Sequence, residues 1–515
     1  MREKARVALI VLDGWGLGPP WGGNAITAAK TSNMDYFWRN YCRTTLVACG
    51  EAVGLPSGTS GNSETGHLNI GAGRVVPQDL PYINTLIKDG QFFKNPRILA
   101  AFEQVKKNNS RLHLMGLVGF GRVHSDMSHL FALLKMARDN DLQQVYLDLF
   151  TDGRDSDPSS ALSVLELITN RIQEIGIGRI TTICGRYFAM DRDRNWGRTS
   201  RAYNALTKGE AEVSPSIRDV ISRAYLRNIT DEYIKPHLIV GDNQEKVLVG
   251  DNDAVIFFNF RPDRARQITR AFTTVRMPEL PDRKILSNLY FLTFVNREPN
   301  PLGTPAFEPH IIKNTLAEVV SHAGLRQFHI AETEKYAHVT YFINGGCEEP
   351  FPGELQYMVP SPKVPTYDFT PAMSAAKITA KIVSVVWENF DLIIGNYANA
   401  DMVGHVGNFY AAVQAIEFVD LCLGKITNAL LKNNYVVFIT ADHGNAEEML
   451  NPRTNQPQTE HTSNPVPLVI VSKDISVARL KLKPGGALSN IAPTILEIMG
   501  LEKPPEMTAI SLIGS

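Results

Sequence analysis

Short, mostly apolar runs recur along the chain, and each stops at a polar cluster. Residues 7–12, 112–118, 145–150, 180–184, 254–258, 390–397, 435–440 and 466–471 are runs of this kind. Their apolar positions are consecutive rather than alternating, which predicts strands of a parallel sheet covered on both faces. Between them, residues 161–174 carry helix-like spacing. Ile416, Val419, Leu423, Ile426 and Leu430 fall three and four apart, a single stripe along a helix face. Strands alternating with helices predict an α/β fold.

Two stretches interrupt this rhythm. Residues 77–84, with Pro77 and Pro81, read as a connection, and residues 297–310 hold four prolines and little periodicity. A middle segment bracketed in this way predicts one domain inserted into another. Residues 1–77 and 310–515 then form a discontinuous domain, and 78–309 the insert. Two domains also suit 515 residues, too many for one ordinary core.

In open α/β sheets, chemistry gathers beyond the carboxyl ends of the strands. In the middle segment those ends read Gly119 to Asp126, Thr151 to Asp155, Gly185-Arg186 with Asp191-Arg192, and Asn259 to Arg264. Each carries Arg or His beside Asp. Four in succession fit a shared anion pocket, because guanidinium forks match phosphate and carboxylate oxygens. In the outer segments, Asp13 follows the first run, Asp442-His443 follows another, Asp401 and His405 stand four apart, and His461 sits in a polar loop. Taken alone, each is a turn or a capping residue. With Ser63 they make seven oxygen and nitrogen donors without thiolates, enough for two divalent ions. Ser63 lies in Gly61-Asn62-Ser63-Glu64-Thr65-Gly66-His67. That string alone is a turn, or a helix start exposing N–H groups to an anion.

Composition removes several classes of function. A formal net charge of −1 gives no support to nucleic-acid binding. Five widely spaced cysteines without a CxxC argue against a disulfide framework. No apolar stretch reaches the roughly 20 residues of a spanning helix, and the six-residue run at 7–12 is too short for a signal-peptide core. The expectation is a cytoplasmic protein without a membrane or nucleic-acid partner.

Val11 to Gly16, Gly61 to Arg74, Ser361 to Val364, Asn396 to Asn399 with Asp401 to His405, Thr440 to Glu447, and His461 to Pro467 together resemble the cofactor-independent phosphoglycerate mutases. The resemblance runs from near Arg6 to near Ile510 and includes the middle segment. It implies an alkaline-phosphatase-like α/β sandwich interrupted by an inserted α/β substrate domain. It implies interconversion of 3-phosphoglycerate and 2-phosphoglycerate by a monomer, without 2,3-bisphosphoglycerate, through a phosphoserine on Ser63. Asp13, Ser63, Asp442 and His443 would hold one metal ion, and Asp401, His405 and His461 a second. Mn²⁺ is the first expectation for both, with Mg²⁺, Co²⁺ and Zn²⁺ as alternatives. Lys335 would stabilise charge on the transferring group. Arg261 and Arg264 would grip phosphate, while His124, Arg154, Asp155, Arg186 and Arg192 would hold glycerate. Asp155 would exchange protons with its hydroxyls. Hinges near 77 and 310 would close the domains over the ligand and exclude water. Departures from the family pattern fall at Thr59, Ser60, Thr65, Ala372 and Ala400, none of them a proposed ligand. The competing readings are a metallophosphatase or phosphopentomutase-like enzyme of the same superfamily, and a non-catalytic phosphometabolite-binding protein.

Overall fold

The computed structural model describes residues 5–514 apart from 242–244, 297–301, 309–311, 452–453, 455, 475–476 and 478–479. The chain divides into two compact units, Met1–Gln78 with His310–Ser515, and Asp79–Pro309. In chain order the strands are β1 (Arg6–Leu12), β2 (Cys42–Val47), β3 (Leu112–Val118), β4 (Val145–Thr151), β5 (Arg179–Gly185), β6 (Glu212–Ser214), β7 (His237–Ile239) and β8 (Ala254–Phe257). They continue with β9 (Tyr290–Val295), β10 (Thr304–Phe307), β11 (Gln327–Glu332), β12 (Glu354–Val359), β13 (Leu392–Tyr397), β14 (Tyr435–Thr440), β15 (Val466–Val471) and β16 (Gly486–Ala487).

The first unit is built on a sheet of order β12-β11-β13-β1-β14-β15-β2-β16. From β12 to β14 it is parallel, and β15 runs antiparallel to both β14 and β2. At the centre, β1, β13 and β14 are buried almost throughout, which is why their sequences do not alternate. Towards the rim the pattern changes. In β2, Cys42 and Leu46 are buried while Arg43, Thr45 and Val47 are exposed. Helix Phe409–Lys432 lays Ala415, Ile416, Val419, Leu423, Ile426 and Leu430 into the core. Its first turn is closed by the Asn408 side chain, which accepts from the Ala411 N–H.

The second unit holds a sheet of order β10-β9-β8-β3-β4-β5-β7-β6, parallel except where β5 meets β7. Leu112 and Leu114 of β3 enter one apolar cluster, and Met115 and Leu117 enter another. Burial on both faces accounts for the mostly apolar run.

Two sequence expectations need correction. Residues 79–84 of the expected connection belong to helix Asp79–Lys88, with Pro81 in its first turn, where a missing N–H costs nothing. Within the proline-rich stretch 297–310, Thr304–Phe307 is strand β10, paired with β9 at the sheet edge, where Pro305 is tolerated. Residues 297–301 and His310 lie outside the described residues.

Candidate active site

In the first unit, the ends of three strands that adjoin in the sheet deliver carboxylates to one place. Asp13 follows β1, Asp442 follows β14, and Asp401 lies on the short helix Asn399–Gly404 after β13. Backbone bonds lock this arrangement: the Asp13 N–H donates to Tyr397 O at 3.0 Å, and the Asp401 N–H to Asp13 O at 3.1 Å. Gly14 permits the approach. Its φ is +74°, and an added Cβ would lie 2.7 Å from the Asp401 Cα.

Ser63 opens helix Ser63–Ala72, where Asn62 caps by accepting from the Thr65 N–H at 2.9 Å. The helix can press close because Gly66 has no side chain; a Cβ there would meet Asp442 O at 2.7 Å. Ser63 Oγ sits 3.2 Å from Asp13 Oδ1 and 2.9 Å from His443 Nε2. Lys335 Nζ donates to Ser63 Oγ at 2.7 Å, to Asp13 Oδ1 at 2.7 Å and to Asp401 Oδ2 at 2.6 Å. Burial opposes charge on this lysine, but Asp13, Asp401 and Asp442 outweigh it and hold its pKa above the usual range. Burial and the nearby Asp442 push the Asp13 carboxyl up. Burial also opposes charge on Asp401, yet Lys335, His405 and His461 pull its pKa well down.

The imidazoles show the arrangement expected of metal-binding histidines. His405 Nδ1 donates to Thr459 O at 2.6 Å, His461 Nδ1 to Gly61 O at 2.9 Å, and His443 Nδ1 to Gly444 O at 3.2 Å. A carbonyl can only accept, so each neutral ring turns a bare Nε2 inward. The Nε2 atoms of His405 and His461 are 3.0 Å apart, and each lies close to Asp401 Oδ1, at 3.2 and 3.1 Å. Asp401 raises the pKa of both rings, so this cluster of lone pairs and a carboxylate takes up a cation, either a proton or a metal ion. Asp442 Oδ2 is likewise buried without a hydrogen-bond partner. Three buried carboxylates against one lysine leave negative charge that a divalent ion would neutralise. Asp401, His443 and His461 form one group with metal-binding spacing, and Asp13, His67 and Asp442 another. The donors present therefore fit divalent metal.

All seven predicted ligands and Lys335 thus converge. Sequence reasoning missed the residues that aim them. His67 is fully buried; its Nδ1 donates to Ser63 O at 2.9 Å and lies 3.3 Å from Asp442 Oδ2. Asn396 Nδ2 donates to Asp13 Oδ2 at 2.8 Å and lies 3.0 Å from His67 Nε2. Glu447 is buried and accepts from the N–H groups of Gly16 and Asn445 at 3.1 and 2.9 Å, and from Thr462 Oγ1, tying three ligand-bearing loops together. The one available signal was that His67 and Glu447 stand inside quoted motifs; nothing local gave them a partner.

In the second unit, the ends of β3, β4, β5 and β8 carry the other predicted group. Arg186 is buried and donates to Asp152 Oδ1 at 2.6 Å and Asp155 Oδ2 at 2.5 Å. His124 lies between Asp155 and Asp263, 3.7 Å from one and 3.5 Å from the other. Burial, with Arg186 beside it, lowers its pKa to about 4, so the ring is neutral near pH 7. Asp263 also takes Arg192 at 3.2 Å and Arg261 at 3.3 Å. Arg154 faces Glu232 at 3.5 Å. The Arg264 pKa is lowered, first by burial and then by Arg192, Arg186 and Arg154. Guanidiniums crowded closely enough to disfavour one another's charge form a site for an anion. Asp152, missed in the sequence, is the keystone: besides Arg186 it accepts from the N–H groups of Arg154 and Asp155 and from Ser156 Oγ.

The chain is similar to known proteins over nearly its whole length. A family model described as Metalloenzyme superfamily matches residues 5–503. A protein of Chloroflexus aurantiacus named 2,3-bisphosphoglycerate-independent phosphoglycerate mutase is 48% identical, covering 100% of this chain and 99% of its own. A Methanosarcina barkeri protein named 2,3-bisphosphoglycerate-independent phosphoglycerate mutase 1 is 49% identical, covering 99% of each. Among solved structures, a phosphoglycerate mutase of Leishmania mexicana, crystallised at low cobalt concentration, is similar with a TM-score of 0.68. It is 29% identical and covers 99% of this chain and 98% of its own.

Proposed function

The chain belongs to the 2,3-bisphosphoglycerate-independent phosphoglycerate mutases of the metalloenzyme superfamily, and from that premise we propose that Ser63 carries the phosphoryl group. The enzyme interconverts 3-phosphoglycerate and 2-phosphoglycerate, the step this reading places in glycolysis and gluconeogenesis. The observation that carries the assignment is the setting of Ser63 Oγ. It lies at a helix start, within 3.2 Å of Asp13, His443 and Lys335.

In the first half-reaction, Ser63 Oγ attacks phosphorus and releases its proton, and the bond from phosphorus to the glycerate oxygen breaks. That oxygen takes up a proton, and Asp155 is placed to exchange it. Glycerate stays on Arg154, Arg186, Arg192 and His124, and its other hydroxyl then attacks the phosphoserine. The attacking hydroxyl gives up its proton, and Ser63 Oγ takes one back. Lys335 stabilises the serine oxyanion through the bond it already donates, and Arg261 and Arg264 hold the phosphate oxygens. The neutral His124 can donate to or accept from glycerate without adding charge. Water must be excluded while glycerate turns, since hydrolysis of the phosphoserine would give a phosphatase.

Divalent metal belongs in this scheme. Asp13, Ser63, Asp442 and His443 would hold one ion, and Asp401, His405 and His461 another, Mn²⁺ being the first candidate for both. Bound there, such ions lower the pKa of a coordinated hydroxyl and neutralise phosphate oxygens. A monomer acting in the cytoplasm completes the reading.

Ser63→Ala, assayed with Mn²⁺ and no bisphosphoglycerate, should lose mutase activity and fail to take up phosphate from labelled substrate. Retention of most activity by the alanine variant would refute the phosphoserine scheme. Wild-type enzyme that released only inorganic phosphate would instead favour a metallophosphatase.

A further inference from the structure

One cleft in the second unit is richer in positive charge than a single phosphate requires. It has a volume of about 480 Å³ and is lined by Arg192, Arg194, Arg266 and Arg270, with Asp263 and Trp196. Arg192 and Asp263 belong to the proposed substrate group; the other three arginines and the indole have no part in the reaction described above. That volume falls within the roughly 300–1,000 Å³ typical of small-ligand sites.

The cleft wall is held in place. Asp191 is buried and accepts from the N–H groups of Asp193 and Asn195, the Asn195 side chain and Arg198. Gln267, also buried, accepts from the Arg194 N–H at 2.7 Å and donates to Thr199 Oγ1 at 3.0 Å. Between these anchors Arg194 adopts φ +61°, a left-handed conformation that is unfavourable for a non-glycine residue. A side chain held in such a backbone state at a cleft wall points to a binding role. The Arg270 guanidinium lies 5.6 Å from the centre of the Trp196 ring and 3.3 Å from Glu279. Among the described lining residues, Arg192 pairs with Asp263 and Arg270 with Glu279.

We propose that this cleft binds a linear triphosphate chain, which engages Arg194, Arg266 and Arg270 and draws Arg192 away from Asp263. Successive phosphates along a chain match several separated guanidinium forks, which a single phosphate cannot. Bound triphosphate then raises the KM for phosphoglycerate, a consequence that rests on the reading of Arg192 as a substrate residue. Inorganic triphosphate and a nucleoside triphosphate offer the same chain; the nucleoside adds a base that can stack on Trp196.

The test uses the metal-loaded full chain with metal in excess, titrated calorimetrically with inorganic triphosphate and, separately, with ATP. Wild type should bind, and the Arg266→Ala/Arg270→Ala double variant should bind at least about tenfold more weakly, as expected for loss of charge-assisted hydrogen bonds. Without triphosphate that variant should keep wild-type kcat and KM, because neither residue belongs to the catalytic group. With triphosphate, the rise in KM should appear in wild type and largely vanish in the variant. Arg194→Ala should repeat the result. Equal binding and equal inhibition in wild type and both variants would overturn the proposal, because metal chelation alone inhibits all of them alike. ATP binding that is tighter than triphosphate binding and is lost in Trp196→Phe identifies a nucleotide; equal affinities identify the inorganic chain. Arg192→Ala separates the two readings. Intact triphosphate binding with an unchanged KM for phosphoglycerate would sink the substrate role of Arg192 while leaving the cleft standing.

Discussion

The first unit draws three buried carboxylates around a single lysine, whereas the second draws Arg154, Arg186, Arg192, Arg261 and Arg264 around Asp152, Asp155 and Asp263. Both clusters stand at the carboxyl ends of parallel strands, yet they carry opposite electrostatic demands. The carboxylate cluster is almost sealed from water, with Asp13 and Asp442 fully buried. It cannot relax into solvent and needs cations to complete it. The arginine cluster is graded: Arg186 is buried, but Arg192 and Arg261 keep about half their side-chain surface (49% and 53%). Exposed guanidiniums cost little in the absence of ligand. One unit is therefore organised to retain a resident cation, the other to capture and release an anion.

The sharpest way to break this contrast is Lys335→Met. It removes the one ammonium from the carboxylate cluster and the donor to Ser63. Steady-state kinetics should show kcat falling about 10²–10³-fold, the usual cost of losing a donor to a developing oxyanion. Calorimetry should show the variant depending more strongly on added metal for its Tm; a metal-independent Tm would contradict a cation-demanding first unit. Arg186→Met makes the corresponding lesion in the second unit, leaving Asp152 and Asp155 without their buried partner. Urea unfolding should register a loss of roughly 3–5 kcal/mol. Hydrogen exchange should place the loosening in residues 79–309 rather than in the first unit.

Metal removal is the milder form of the first experiment. Dialysis against a chelator should lower stability by about 2.7 kcal/mol for each ion lost, relative to enzyme at 100 times the metal Kd. The lost exchange protection should lie around Asp13, Asp401 and Asp442, with the second unit unchanged. The smallest effect concerns His124. Its folded pKa of about 4 lies below its ordinary value of 6.5, so the unfolded chain binds more protons between those pH values. The stability from its neutral form is complete above about pH 6.5 and is lost as the pH falls towards 4. His124→Gln should therefore flatten part of the urea-midpoint slope between pH 4 and 6.5. His129, also lowered to about 4 by burial, and His338 and His329, likewise lowered by burial, would keep their own parts of it.

The sheet centres were legible because burial on both faces leaves short apolar runs, and their length and the polar turns that bound them favour strands. β3, predicted at 112–118, is observed as Leu112–Val118. Rim strands were not legible. β12 exposes Leu355, Tyr357 and Met358 and carries Glu354 and Gln356, so its sequence advertises no core. Pro81 misled because a proline that breaks a helix interior fits its first turn. In the site, the side chains that present ligand atoms stood out as Asp and His at strand ends. The side chains that aim them did not. Glu447 bonds to Gly16, 431 positions away, and no local pattern encodes that distance. Asp152 was overlooked for a related reason, since a carboxylate in an Asp-Gly turn looks ordinary until Arg186 is seen against it.

The place of β1 in its sheet bears on how the chain is made. Its only strand neighbours are β13, beginning at Leu392, and β14, beginning at Tyr435. In a chain synthesised at about 5–20 residues per second, the apolar Val7 to Leu12 segment waits roughly 20–80 s for its first partner to be translated. The second unit, a continuous stretch, can complete its own sheet in the interval. The aspartate that later sits beside Ser63 thus begins at the end of an orphaned, sticky strand. During translation that strand stays without its sheet partners for most of the chain's synthesis.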